Sequence, residues 1–189
     1  MPQADILRAK IEYGFDHFLD ADGDGRLTER DHILMGRRMA GLLGHAPGSA
    51  AERDAVEAYV GIWRDLHLPH LPPGSTALTR EDFVRSTMTL AADRRAAQAT
   101  VGALAERFLQ VADVDRDGHV DREEYATFLR GHNPDIADQD IADAFAHLDG
   151  DADGRLTTTE FTNAVVDYWS SASPDAPGNW WLGRPAYER

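Results

Sequence analysis

The stretch DVDRDGHVDREE, residues 113–124, decides how this chain folds. Acids stand at its first, third and fifth positions: Asp113, Asp115 and Asp117. Gly118 is sixth, Val120 eighth and Glu124 twelfth. Two other stretches repeat the arrangement. They are DGDADGRLTTTE at residues 149–160 and DADGDGRLTERD at residues 20–31. One copy could be an acid-rich turn. Three copies, each set between segments of helical apolar periodicity, require a common local structure.

The spacing has a chemical reading. Carboxylates on alternate positions of a tight loop converge on one point, and a hard cation such as Ca2+ takes about six to eight oxygens there. Glycine at the sixth position permits a backbone turn that a Cβ would resist. The seventh residue gives only its carbonyl, so its side chain is free to vary, as Arg26, His119 and Arg155 do. The twelfth residue supplies two oxygens when it is Glu. This is the EF-hand pattern.

The expected ligands follow by position. One loop offers Asp113, Asp115, Asp117, the His119 carbonyl and Glu124. Another offers Asp149, Asp151, Asp153, the Arg155 carbonyl and Glu160. The first offers Asp20, Asp22, Asp24, the Arg26 carbonyl and Asp31. Asp31 is one methylene shorter than Glu and reaches an ion less readily with both oxygens. That predicts weaker Ca2+ binding and better tolerance of Mg2+, which prefers six ligands.

A fourth unit lies between the first two copies. The segment 78–83, LTREDF, imitates the end of such a loop and the start of its exit helix. With Asp82 at position twelve, Leu71, Pro73 and Ser75 fall at positions one, three and five. Only Ser75 has a side-chain oxygen, so no cation is expected. The unit is retained because these motifs work in pairs through the residue at position eight. Leu27 is expected to face Leu78, and Val120 to face Leu156.

Helical stripes flank each loop. Leu7, Ile11, Phe15, Phe18 and Leu19 lead into the first; Ile33 and Leu34 leave it. Val56, Tyr59, Val60 and Trp63 enter the second. Val101, Leu104 and Phe108 enter the third, with Tyr125, Phe128 and Leu129 behind it. Ile141, Ala144, Phe145 and Leu148 enter the fourth; Phe161, Val165, Tyr168 and Trp169 leave it. Asn133-Pro134 reads as a helix start, and residues 91–100 as either helix or a short linker. The fold class is therefore all-α, four helix–loop–helix units in two pairs packed as a compact globule. An N-terminal pair is expected over 1–92 and a C-terminal pair over 93–170. A tail, 171–189, should pack on the core through Trp180, Trp181 and Leu182; the alternative is a lid over an apolar cavity or a partner-binding segment.

Composition narrows the partners. The net charge is −14, and it is concentrated in the loops. It argues against nucleic acid, which needs basic surface. With no cysteine, a disulfide framework, a cysteine zinc site and a thiol nucleophile are excluded. No apolar run suits a membrane span or a signal core. A cytoplasmic monomer is expected. No catalytic set stands out, so no enzyme is expected. His67 and His70 read as surface or structural histidines, and Met35, Met39 and Met88 as core.

With three acidic loops, one lost loop and an aromatic last helix, residues 5–170 resemble the sarcoplasmic calcium-binding proteins, and especially their bacterial calerythrin-like members. The resemblance implies two EF-hand pairs packed against each other and an intracellular Ca2+ buffer, with some sites shared with Mg2+. A Ca2+ sensor acting on a protein partner is the alternative. The sparse methionines speak against it, because sensors present methionine-rich grooves. A remoter alternative is a photoprotein-like protein. Calcium-triggered photoproteins share this four-unit plan and hold a luciferin in an apolar cavity lined by Tyr, Trp and His. The C-terminal half lacks an obvious His–Tyr pair beside a Trp.

Overall fold

The computed structural model describes residues 2–185 and Tyr187. Helix α1 (Gln3–Gly14) turns Ile6, Leu7 and Ile11 inward. It runs on through one wider turn, Phe15–Leu19, which buries Phe15, Phe18 and Leu19. After the first acidic loop come strand β1 (Arg26–Leu27) and helix α2 (Glu29–Leu42). Helix α3 (Ala50–Ile62) is capped by the Ser49 hydroxyl, and it too ends in a wide turn, Trp63–His67. Strand β2 (Leu78–Thr79) and helix α4 (Arg80–Ala92) complete the second unit.

Asp93 breaks the chain direction and caps the next helix, its side chain accepting from Arg95 and Ala96 N–H. Helix α5 (Arg94–Ala112) therefore absorbs most of the stretch that read as helix or linker. Strand β3 (His119–Asp121), helix α6 (Arg122–His132), helix α7 (Asp138–Leu148), strand β4 (Arg155–Thr157) and helix α8 (Thr158–Ser170) follow. One start differs from expectation. Asn133 is the C-cap of α6, and Ile136 N–H closes a turn on its carbonyl, so α7 begins at Asp138 rather than at Pro134.

The strands pair as the position-eight rule requires. Leu27 lies opposite Leu78, and Val120 opposite Leu156, both antiparallel. All four side chains are buried. Each acidic loop then passes directly into a capping box. Thr28 with Asp31, Asp121 with Glu124 and Thr157 with Glu160 exchange side-chain and backbone hydrogen bonds across the first helical turn. Loop positions nine and twelve are thus also the N-cap and third residue of the exit helix.

A single apolar core runs through both pairs. Phe18, from the first unit, meets Phe108 at 5.6 Å and Phe128 at 5.7 Å, both edge-on. Phe83 packs on Phe15 and, at 5.7 Å, edge-on to Trp169 of α8. Burying each such ring contributes on the order of 1.5–3 kcal/mol, and the contacts hold the halves together. Among the described residues, no helix is long and apolar enough to cross a membrane.

Candidate metal centre

Glycine at position six enters the left-handed region in all three acidic loops, with φ of 78° at Gly25, 87° at Gly118 and 87° at Gly154. The turn folds each loop's N–H groups onto its first acid. Asp113 Oδ1 accepts from Asp117 N–H at 3.1 Å and Oδ2 from Gly118 N–H at 3.1 Å. Asp149 accepts from Asp153 and Gly154 at 3.1 and 2.9 Å. Asp20 accepts from Gly23, Asp24 and Gly25. These bonds orient the first carboxylate and leave the others to gather around it.

Three groups of carboxylates result. Asp20, Asp22 and Asp24 have ligand oxygens within 4.8 Å of one another; so do Asp113, Asp115 and Glu124, and so do Asp149, Asp151 and Glu160. Unit charges at that spacing repel by roughly 1 kcal/mol in water and about 3.5 kcal/mol at an effective dielectric of 20. A divalent cation reverses the sign of that interaction, and an all-oxygen donor set suits a hard ion. The residues present fit Ca2+ or Mg2+.

The gathering is uneven. Glu124 and Glu160 reach their clusters, braced at their far oxygens by Asp121 N–H and Thr157 N–H. Burial works against the Glu160 charge, yet the Thr157 amide and hydroxyl and the Gly150 amide hold its carboxyl below the usual range. Asp31 stays apart from its three acids. It is buried, and it accepts from Ala21 and Asp22 N–H on one oxygen and from Thr28 N–H and hydroxyl on the other. Burial raises its pKa, with the Thr28 bonds opposing. Asp117 and Asp153 also lie outside the close groups; each accepts the N–H of the seventh residue, His119 at 2.9 Å and Arg155 at 2.8 Å. In the second unit the Ser75 hydroxyl is spent on the Ala77 backbone, and no acid cluster forms there among the described residues.

Sequence reasoning missed a second feature. His32 of α2, His67 at the end of α3 and His132 at the end of α6 are all buried. His32 lies 5.3 Å from His67 and 5.6 Å from Trp63, while His132 lies 5.3 Å from Tyr59 and stacks at 3.8 Å on Phe18. Nδ1 of His32 donates to the Thr28 carbonyl and Nδ1 of His132 to the Phe128 carbonyl. A carbonyl only accepts, so those protons sit on Nδ1 and both Nε2 atoms keep bare lone pairs. Among the described residues, no partner satisfies His32 Nε2, His67 Nε2, His132 Nε2 or the Tyr59 hydroxyl. Burial drives His32 down to about 4 and His67 and His132 to about 3, so all three are neutral at pH 7. His132 of the C-terminal pair thus meets Tyr59 of the N-terminal pair, while Trp63 lies beside His32 and His67.

Beside this cluster lies a cavity of about 520 Å³. Leu19, Leu78, Phe83, Leu104 and Trp169 give it an apolar wall, and His67, His70, Arg85 and Ser86 are among its polar lining residues. Trp169 Nε1 is buried and has no hydrogen-bond partner among the described residues. The volume lies inside the range typical of small-molecule sites, roughly 300–1,000 Å³.

The four units, the paired position-eight strands and the acid clusters define an EF-hand protein. The EF hand family model matches residues 104–129 and 141–166, the third and fourth units. The first two units, outside that match, share the same paired position-eight strands. It is similar to the luciferin-binding protein of Renilla reniformis, 26% identical over 165 residues that cover 87% of each chain. Its fold is similar to the Ca-loaded apo form of coelenterazine-binding protein from Renilla muelleri, with a TM-score of 0.76, 20% identity and coverage of 96% and 94% of the two chains. It is also similar to the sarcoplasmic calcium-binding protein of amphioxus, with a TM-score of 0.71, 18% identity and coverage of 96% and 98%.

Proposed function

We propose that this chain is a Ca2+ buffer with three cation sites, at residues 20–31, 113–124 and 149–160. Asp113, Asp115, Asp117 and Glu124, with the His119 carbonyl, hold one ion. Asp149, Asp151, Asp153 and Glu160, with the Arg155 carbonyl, hold the second. Asp20, Asp22 and Asp24, with the Arg26 carbonyl, hold the third, which exchanges with Mg2+ because Asp31 stands back from the cluster.

The burial of the apolar side chains supports a buffer over a sensor. A sensor needs apolar surface to offer when metal binds. Here Met35 and Met39 are buried, and the exposed large apolar side chains among the described residues are the scattered Leu42, Leu68 and Val114. Calorimetric Ca2+ titration with and without millimolar Mg2+ tests the reading. Three binding events are expected, one weakened by Mg2+, with no rise in apolar dye fluorescence. Fewer events, or a Ca2+-driven rise in dye binding, would overturn it.

The cavity favours a second reading, a Ca2+-responsive carrier of an apolar aromatic ligand. The cavity wall is largely apolar, with Trp169 beside Leu19, Phe83 and Leu104, and it carries the polar side chains of Arg85 and Ser86. One relative, aligned over 87% of this chain, is named for luciferin binding. Coelenterazine titrated against tryptophan fluorescence is the test. Saturable quenching supports the carrier, and light on a Ca2+ pulse in oxygen would make it a photoprotein. Absence of quenching removes both.

A further inference from the structure

The segment after α8 is seated like a ligand. Trp181 is fully buried, and its ring lies 4.6 Å from Phe161, 5.5 Å from Phe128 and 6.0 Å from Tyr125. The Tyr125 hydroxyl donates to the Trp181 carbonyl at 2.9 Å. Asn179, also buried, donates through Nδ2 to the Ser173 and Pro174 carbonyls. Its Oδ1 accepts from Lys10 Nζ at 2.7 Å, and the same ammonium reaches the carbonyls of Asp167 and Ser171. Gly178 lies so close to α8 that a Cβ would collide with Asp167 and Ala164. Trp180 stacks on His147 of α7 at 3.8 Å.

Two of these contacts have a particular placement. Tyr125 directly follows Glu124, and Phe161 directly follows Glu160. One indole therefore touches the residue next to the closing acid of both C-terminal loops. His32, which follows Asp31 in the first loop, packs on Trp63 and His67 instead.

We infer that residues 177–182 are a built-in ligand for the groove between α6, α7 and α8, and that their docking is linked to cation occupancy of the two loops at 113–124 and 149–160. The inference rests on the reading of those loops as cation sites. Its physical basis is short. Glu124 and Glu160 each occupy the third position of an exit helix, so fixing their carboxylates fixes the first helical turn. That turn aims Tyr125 and Phe161, and both rings form the seat of Trp181. By reciprocity, a seated Trp181 holds both glutamates ready and must raise cation affinity by the factor by which cations favour docking.

The test uses the full chain and its Trp181→Ala and Trp181→Phe variants. Ca2+ is titrated while the amide signals of Gly25, Gly118 and Gly154 report the three loops separately. Trp181→Ala is expected to weaken the two C-terminal loops by about fivefold or more, to leave the first loop unchanged, and to be largely restored by Trp181→Phe. In the wild-type chain, chelating Ca2+ should speed hydrogen exchange at Asn179 and Trp181 N–H. Absence of Ca2+ binding at 113–124 and 149–160 in the wild type would sink the cation reading itself. Binding with no change in Trp181→Ala, an equal loss at all three loops, or exchange indifferent to Ca2+ would sink the linkage alone. If Trp181→Ala does not fold, Trp181→Phe and the wild-type exchange rates decide the matter.

Discussion

Arg155 Nη1 lies 3.0 Å from Asp117 Oδ2, so the seventh residue of the fourth loop neutralises the fifth residue of the third. The pair crosses the β3–β4 ladder, with both side chains about half exposed. Such a pair contributes at most about 1 kcal/mol, yet it competes directly for a proposed ligand oxygen. Arg155→Gln keeps the backbone carbonyl and frees Asp117. Ca2+ affinity at the third loop should rise by about two- to fivefold. Following the Gly118 amide during titration checks this, with the Gly25 amide reporting any general effect of the lost charge.

Asp31 marks the opposite case, a proposed ligand held back by its own loop. Its carboxylate is occupied by Ala21, Asp22 and Thr28 instead of joining Asp20, Asp22 and Asp24. Glu124 and Glu160 show that one more methylene closes the distance while keeping the capping box. Asp31→Glu should therefore tighten Ca2+ at the first loop by about tenfold, or about 1.4 kcal/mol, and reduce Mg2+ competition there. Calorimetry in millimolar Mg2+ reads both, and equal or weaker Ca2+ affinity would refute it.

These loops were legible in the sequence because their chemistry is local. Acid spacing, the glycine and the apolar eighth residue sit within twelve residues, and the pairing of Leu27 with Leu78 and Val120 with Leu156 follows from that register. Features built from distant residues were not legible. His32, His67 and His132 are isolated in sequence, and only α2, α3 and α6 bring them together. Nothing in the sequence around Lys10 marks it for burial, but α1 buries it against α8 and the tail. Trp181 reads as an apolar residue seeking cover; nothing in its neighbourhood names Tyr125 and Phe161 as the cover. Asn133-Pro134 misled because a proline after a polar residue suits the end of one helix as well as the start of the next.

The buried histidines predict an acid-side loss of stability. In the folded chain His132 takes a proton only near pH 3, because burial disfavours its charge. In the unfolded chain it does so near 6.5. Between those values the unfolded state holds the extra proton, so stability is full above pH 6.5 and falls as pH drops toward 3, by up to about 1.4 kcal/mol per pH unit. His132→Phe keeps an aromatic ring against Phe18 and removes that slope. It should be less stable than wild type at pH 7.5, where the Phe128 carbonyl loses its donor, and should close or reverse the gap at pH 5. Urea midpoints at the two values, both above the ordinary carboxylate range, measure it.

Metal removal should reveal the cost of gathering acids. Three clusters with oxygens within 4.8 Å leave the metal-free chain with concentrated repulsion. Apart from the buried Asp149, those carboxylates are at least partly exposed, so salt screens the repulsion. In chelator, raising NaCl from 20 mM to 0.5 M should raise the thermal midpoint. In saturating Ca2+ the same change should have little effect, because the charges are already opposed. Ca2+ at about a hundred times its dissociation constant should add roughly 2.7 kcal/mol per site, about 5–10 °C for a chain of this size. A scanning-calorimetry matrix of salt against Ca2+ separates the contributions. A salt response of equal size with and without Ca2+ would place the repulsion elsewhere on this acidic chain and not in the three loops.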